Sequence, residues 1–118
     1  MGFTHVTMTV RNPQGGPARE VTLLVDSGAL YSLLPAPVLQ ELRVDPFRER
    51  SFQLADGSVI KLRIGEATFG YKTEESTSPV IFGESGDTPV LGVVTLESLG
   101  LELDPIRHEL RPARLLLI

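Results

Sequence analysis

The chain has 118 residues, a formal net charge of −4 and no cysteine. That length suits a single domain, 1–118, with a modest core. The missing cysteine excludes disulfides, thiolate catalysis and Cys-ligated metals, and the acidic balance with scattered Lys and Arg gives no basic field for nucleic acid. No apolar stretch nears the ~20 residues needed to cross a bilayer, so no membrane partner is expected. No charged segment leading into an apolar run opens the chain, so no signal peptide is visible. Met1-Gly2 begins like a myristoylation signal, but Val6 stands where that signal requires Ser or Thr. A soluble cytoplasmic protein is the expectation.

The predicted elements are mostly strands. Phe3 to Val10 sets Val6, Met8 and Val10 against His5, Thr7 and Thr9, a half-buried strand pattern. Asn12 to Pro17 is a turn by composition. Glu20 to Val25 returns as the second arm of a hairpin. Pro35-Ala36-Pro37 starts a short helix through Leu42, because proline suits a first helical turn, and Val44-Asp45-Pro46 ends it. Ser51 to Leu54 and Ser58 to Ile64 read as strands around Ala55-Asp56-Gly57, since Asp-Gly between alternating runs is a hairpin signal. Gly65 to Lys72 and Ser78 to Phe82 are two further strands, followed by an exposed loop, Gly83 to Asp87. Thr88 to Gly92 leads into a second short helix, Val93 to Leu99, capped by Gly100. Leu101 to Leu103 and Glu109 to Arg111 are strands about the turn Asp104 to His108. The tail, Ala113 to Ile118, ends in four apolar residues, for which a partner subunit is one cover. A strand, small-residue turn and short helix at Leu23–Leu42 echo those at Val80–Leu99, which suggests two related halves.

Val25-Asp26-Ser27-Gly28-Ala29 is the most informative stretch. The apolar run Val21 to Val25 delivers a carboxylate to the end of a strand, on a turn that Ser and Gly permit. Hydrolysis of a peptide by carboxylates needs two of them in contact. Such a pair shares one proton and titrates as a unit. The other aspartates sit in turn contexts, and none repeats this setting. An isologous dimer supplies the second acid, because it places Asp26 against its own symmetry mate.

With Leu23-Leu24 before it and Ser32-Leu33-Leu34-Pro35 after it, this stretch resembles the active-site motif of retropepsin-like (retroviral-type) aspartic proteases, in particular their small bacterial single-domain relatives. Leu54 to Ser58 is similar to the family's flap hairpin. Val90-Leu91-Gly92 is similar to the apolar-apolar-Gly element packed beneath the catalytic loop, and Leu96 to Asp104 to the helix and strand that follow. The similarity runs from about residue 19 to 112. It implies an all-β, half-barrel acid-protease fold, closed like a β-barrel, with two short helices. It implies an aspartic endopeptidase, a homodimer with a peptide or protein substrate, and neither cofactor nor metal. Asp26 is then the catalytic acid, and Ser27 braces the two loops across the axis. Gly28 permits close backbone approach and Ala29 completes the loop. Ala55, Asp56, Gly57 and Ser58 form the flap tip over substrate, and Leu91 and Gly92 pack under the site. Ser27 stands where many members carry Thr, and the tip is shorter and more polar than the viral one. The terminal Leu115 to Ile118 is expected in the dimer sheet.

A second reading is a non-catalytic peptide-binding or dimerisation module of the same fold, favoured by a chain that starts directly at its first strand. His5 and His108 show no ligand spacing, and Ser27 lacks the Gly-X-Ser-X-Gly setting of a hydrolase nucleophile.

Overall fold

The computed structural model describes residues 2–114 and Leu117. The elements are β1 (His5–Arg11), β2 (Arg19–Val25), β3 (Ser32–Pro35), α1 (Ala36–Glu41), β4 (Arg48–Gln53), β5 (Val59–Tyr71), β6 (Glu74–Gly83), β7 (Val90–Leu91), α2 (Val93–Ser98), β8 (Leu101–Asp104) and β9 (Glu109–Pro112). The protein is therefore all-β with two short helices, as the sequence predicts. Among the described residues no helix is long and apolar enough to cross a membrane.

Seven strands form one sheet in the order β1-β2-β7-β3-β6-β5-β4, and β1 also pairs with β5. The sheet thus closes into a ring, from which β4 projects as the outer arm of a hairpin with β5. β8 and β9 form a separate antiparallel pair. The alternation read in the first strand holds and β2 shares it: Met8, Val10, Val21, Leu23 and Val25 are buried, while Thr7, Thr9 and Thr22 are not. Their inward faces meet Leu34, Phe69, Val80 and Leu91 in one core, and this apolar burial is the main stabilising contribution.

The internal echo has a structural counterpart. β2, its loop, β3 and α1 match β6, its loop, β7 and α2 in chain order. Each half's first strand pairs in parallel with the other half's second: β2 with β7 (Leu24 opposite Val90), and β6 with β3 (Val80 opposite Ser32). β3 and β7 meet antiparallel where Leu33 faces Val90. The two halves are threaded through each other and share one core.

Three expectations need correction. The break at Gly65 is absent: β5 runs unbroken for 13 residues. It pairs with β4 up to Ile64 and with β6 from Ile64 onward. Gly65 marks a close approach and not a strand end, since a Cβ there would lie 3.0 Å from the Phe82 ring and 3.1 Å from the Asp45 carbonyl oxygen. Ser32–Pro35 and Val90–Leu91 are strands that local pattern does not announce, because their partners are remote in sequence. β6 also starts earlier than Ser78, at Glu74. Of the apolar tail, Leu115, Leu116 and Ile118 lie outside the described residues, and Leu117 is fully exposed.

Both helices are delimited as their sequences suggest. Pro35 precedes α1 and a proline occupies its first turn. At its end Arg43 takes a left-handed φ of 61°, and the Asn12 side chain donates to the carbonyls of Leu42 (3.3 Å) and Arg43 (2.7 Å). Gly100, with φ of 72°, terminates α2.

Candidate active site

Asp26 follows directly on β2, and the loop Asp26–Tyr31 carries the chain to β3. The Asp26 carbonyl accepts the Ala29 N–H (3.1 Å), and its Oδ1 accepts the Gly28 N–H (2.9 Å). Short polar side chains favour such bends because they bond amides two residues on. The Gly28 backbone lies close: a Cβ at that position would stand 3.3 Å from Asp26 Oδ1. Asp26, Ser27 and Gly28 are all exposed in the single chain, and Ala29 is half-buried. Asp26 therefore presents its remaining acceptor capacity to solvent.

The loop rests on β7 and the start of α2. The Asp26 N–H donates to the Leu91 carbonyl (3.1 Å), and the Val93 and Val94 amides donate to the carbonyls of Ala29 (2.8 Å) and Leu30 (3.0 Å). The Gly92 N–H goes to Ser32 Oγ (2.9 Å). The first amides of α2, which have no partner within the helix, are thus satisfied by the loop and its flank. Gly92 is needed for space. A Cβ there would fall 2.4 Å from the Tyr31 carbonyl carbon and 2.8 Å from the Ser32 nitrogen. Leu91 is fully buried in the core below. Leu91 and Gly92 accordingly lie directly against the Asp26 loop.

Beneath the loop is a hydroxyl cluster that the sequence reading missed. Thr95 Oγ1 lies 2.6 Å from Ser32 Oγ and 2.8 Å from Ser78 Oγ, and all three residues are buried. The cluster ties β3, β6 and α2 together and holds the Gly92 amide. Its signal is three small hydroxyl residues embedded in apolar surroundings, Leu30–Leu34, Ser78–Phe82 and Val93–Leu96. Thr95→Val keeps the shape but leaves the Ser32 and Ser78 hydroxyls short of a buried partner. It is expected to cost about 2–3 kcal/mol, visible as a lower urea midpoint with an unchanged slope. A neutral substitution would show that the cluster is dispensable.

The β4–β5 hairpin turns at Leu54–Ser58, as predicted. The Gly57 N–H donates to the Leu54 carbonyl (2.9 Å) with Gly57 at φ of 89°, and the Leu54 N–H donates to the Ser58 carbonyl (2.8 Å). Asp56 Oδ1 accepts both the Ser58 hydroxyl (2.6 Å) and the Ser58 amide (2.9 Å). These two bonds, the hydroxyl's first, hold the Asp56 carboxyl below its ordinary range, so the tip stays charged. Contact between hairpin and loop comes lower down. The rings of Phe52 and Tyr31 meet edge to face, 6.2 Å between centroids, and Arg50 Nη1 donates to Tyr31 Oη at 3.3 Å.

Other aspartates are engaged in turns of their own. Asp87 Oδ2 accepts the Glu84 amide at 2.8 Å. Asp104 Oδ1 accepts the Ile106 (3.0 Å) and Arg107 (3.1 Å) amides, and its Oδ2 faces Arg111 Nη1 at 3.2 Å. The Asp104 carboxyl is held below its ordinary value, chiefly by the Arg107 amide, then by the Ile106 amide and the Arg111 and His108 charges, against an opposing contribution from burial. A lowered folded-state value stabilises the fold above the unfolded value of about 3.9. That contribution fades as pH falls below it. Wild type should therefore exceed Asp104→Asn in urea midpoint at pH 7, with the gap narrowing as pH falls below about 3.9. A gap independent of pH would contradict this.

His5 is exposed on β1, and His108 Nδ1 lies 3.1 Å from Thr4 Oγ1. Among the described residues no cluster of three or more His, Asp or Glu side chains suits a metal ion. An apolar groove of about 290 Å³ adjoins the loop, lined by Ser27, Val93, Leu96, Leu101 and Leu103 among others. The chain matches none of the protein-family models with which it was compared, and none of the curated proteins.

Proposed function

We propose that this chain is a retropepsin-like aspartic endopeptidase that works as a homodimer. The observation that carries the reading is the exposed Asp26 carboxylate, set on a loop whose backbone is bonded to Leu91, Val93 and Val94. A group fixed this firmly from below and left open above suits a half-site completed by a second copy. The interleaved halves, the Leu91-Gly92 support and the β4–β5 hairpin beside the loop agree with the fold implied by the sequence resemblance.

In the dimer the two Asp26 carboxylates share one proton, because like charges at contact distance cannot both ionise. The ionised member takes a proton from water while the other donates to the scissile carbonyl oxygen, giving a tetrahedral diol. Collapse breaks the C–N bond, and the amine leaves with a proton from the pair. Ser27 braces the loops across the axis, and residues Ala55–Ser58 of each hairpin tip cover an extended peptide.

The test is sedimentation equilibrium beside cleavage of a mixed peptide pool from acid to neutral pH. The reading requires a species of twice the 12.9 kDa chain mass and activity that tracks its population. A strictly monomeric chain would sink the protease reading and leave a peptide-binding module of this fold.

A further inference from the structure

We propose, resting on the reading of the Asp26 loop as a peptide site, that Arg50 is a specificity-determining residue that selects an acidic side chain in the bound peptide. The β4–β5 register sets Arg48, Arg50 and Phe52 opposite Ile64, Leu62 and Ile60, and directly opposed residues share one face of a sheet. Phe52 and Leu62 on this face are half-buried and Ile64 is buried. The other face, with Glu49, Ser51 and Gln53 against Arg63, Lys61 and Val59, is exposed throughout. The first face is therefore the more buried of the two, although Arg48, Arg50 and Ile60 on it are exposed, and it is the one that meets Tyr31, the last residue of the Asp26 loop.

The two exposed arginines on this face, Arg48 and Arg50, make no ion pair among the described residues. Among the described residues the ion pairs are made by Arg11, Arg19 and Arg111, and no carboxylate lies within ion-pair distance of Arg50. Arg48, on the same face, sits over the Phe47 ring at 5.1 Å. Glu49, the nearest acid in sequence, is on the opposite face across from Arg63. Tyr31 Oη occupies one guanidinium donor and leaves the rest of a planar fork that suits a carboxylate. In a free subunit water solvates that fork. A peptide laid under the hairpin displaces the water, so a Glu or Asp replaces the lost bonds, whereas a Lys meets like charge.

The test uses the full chain carrying Asp26→Asn, which cannot turn over its ligand, and fluorescein-labelled ten-residue peptides with an apolar centre. The peptides differ only in bearing Glu, Gln or Lys, scanned from two to four residues on either side of that centre. Fluorescence anisotropy should show the Glu peptide binding about tenfold tighter than the Lys peptide at one position. Adding Arg50→Glu should reverse that order, Arg50→Gln should abolish the preference, and Arg50→Lys should keep its direction. Because the background is constant, the charge lost at Asp26 cancels. Absence of any charge preference, a preference that survives Arg50→Glu, or no peptide binding at all would overturn the proposal. The protease reading fails separately. A wild-type chain that leaves the preferred peptide intact refutes catalysis but not the role of Arg50, and cleavage indifferent to charge does the reverse.

Discussion

Asp26→Asn is expected to abolish peptide cleavage, a loss of at least about 10⁴-fold, because both members of the carboxylate pair disappear together. The fold should not notice. Asp26 is exposed, and Asn keeps the Oδ1 that accepts the Gly28 amide, so stability should stay within about 0.5 kcal/mol of wild type. Mixing the two chains gives a sharper result. If each site needs one Asp26 from each subunit, heterodimers are dead, and activity falls as the square of the wild-type fraction once subunits have exchanged. A linear fall would place a complete site within one chain. Retained activity in the pure variant would remove the mechanism.

The second large effect belongs to Gly92→Ala. Gly92 has an extended backbone, φ of −94° and ψ of 172°, which any residue adopts. Alanine fails there through space alone, since its Cβ would meet the backbone of Tyr31 and Ser32 at 2.4–2.8 Å. Backbone cannot rotate away as a side-chain tip can. Either β7 retreats from the loop or the loop moves, and the bond from the Gly92 amide to Ser32 Oγ is lost in both cases. We expect a cost of about 3 kcal/mol or more, with a fall in Tm of roughly 10 °C. Gly86→Ala is the control: nothing lies within 4 Å of a Cβ there and its φ is ordinary, so a change within about 0.5 kcal/mol is expected. Equal behaviour of the two variants would show that the Gly92 contact is not a constraint.

Much of this was legible in the chain. The run Val21–Val25 followed by Asp-Ser-Gly places the acid at a strand end, and Pro37 and Gly100 bracket the helices. Asp56-Gly57 marks the hairpin tip. These are local signals, in which side-chain chemistry restricts a few dihedral angles at a time. The crossed parallel pairing of β2 with β7 and of β6 with β3 was not legible. A strand of two residues such as β7 has no periodicity, and its place is set by partners more than fifty residues away. Gly65 misled because glycine inside a strand reads as punctuation, whereas here it admits the Phe82 ring. The buried hydroxyls of Ser32, Ser78 and Thr95 were missed because a lone polar residue in an apolar run reads as facing solvent. Only the assembled core shows the three converging under the Asp26 loop. Tyr31 was passed over for the same reason, since its partners Arg50 and Phe52 come from a hairpin about twenty residues on.

The most direct test of the shared carboxylate pair is the separation of the two Asp26 side chains in a crystal structure of the dimer that forms in solution. Oxygens of the two side chains about 3 Å apart, close enough to share a proton, are the predicted result. A dimer that holds them beyond the ~6 Å over which carboxylates shift one another's titration, or a chain that never pairs, would contradict it.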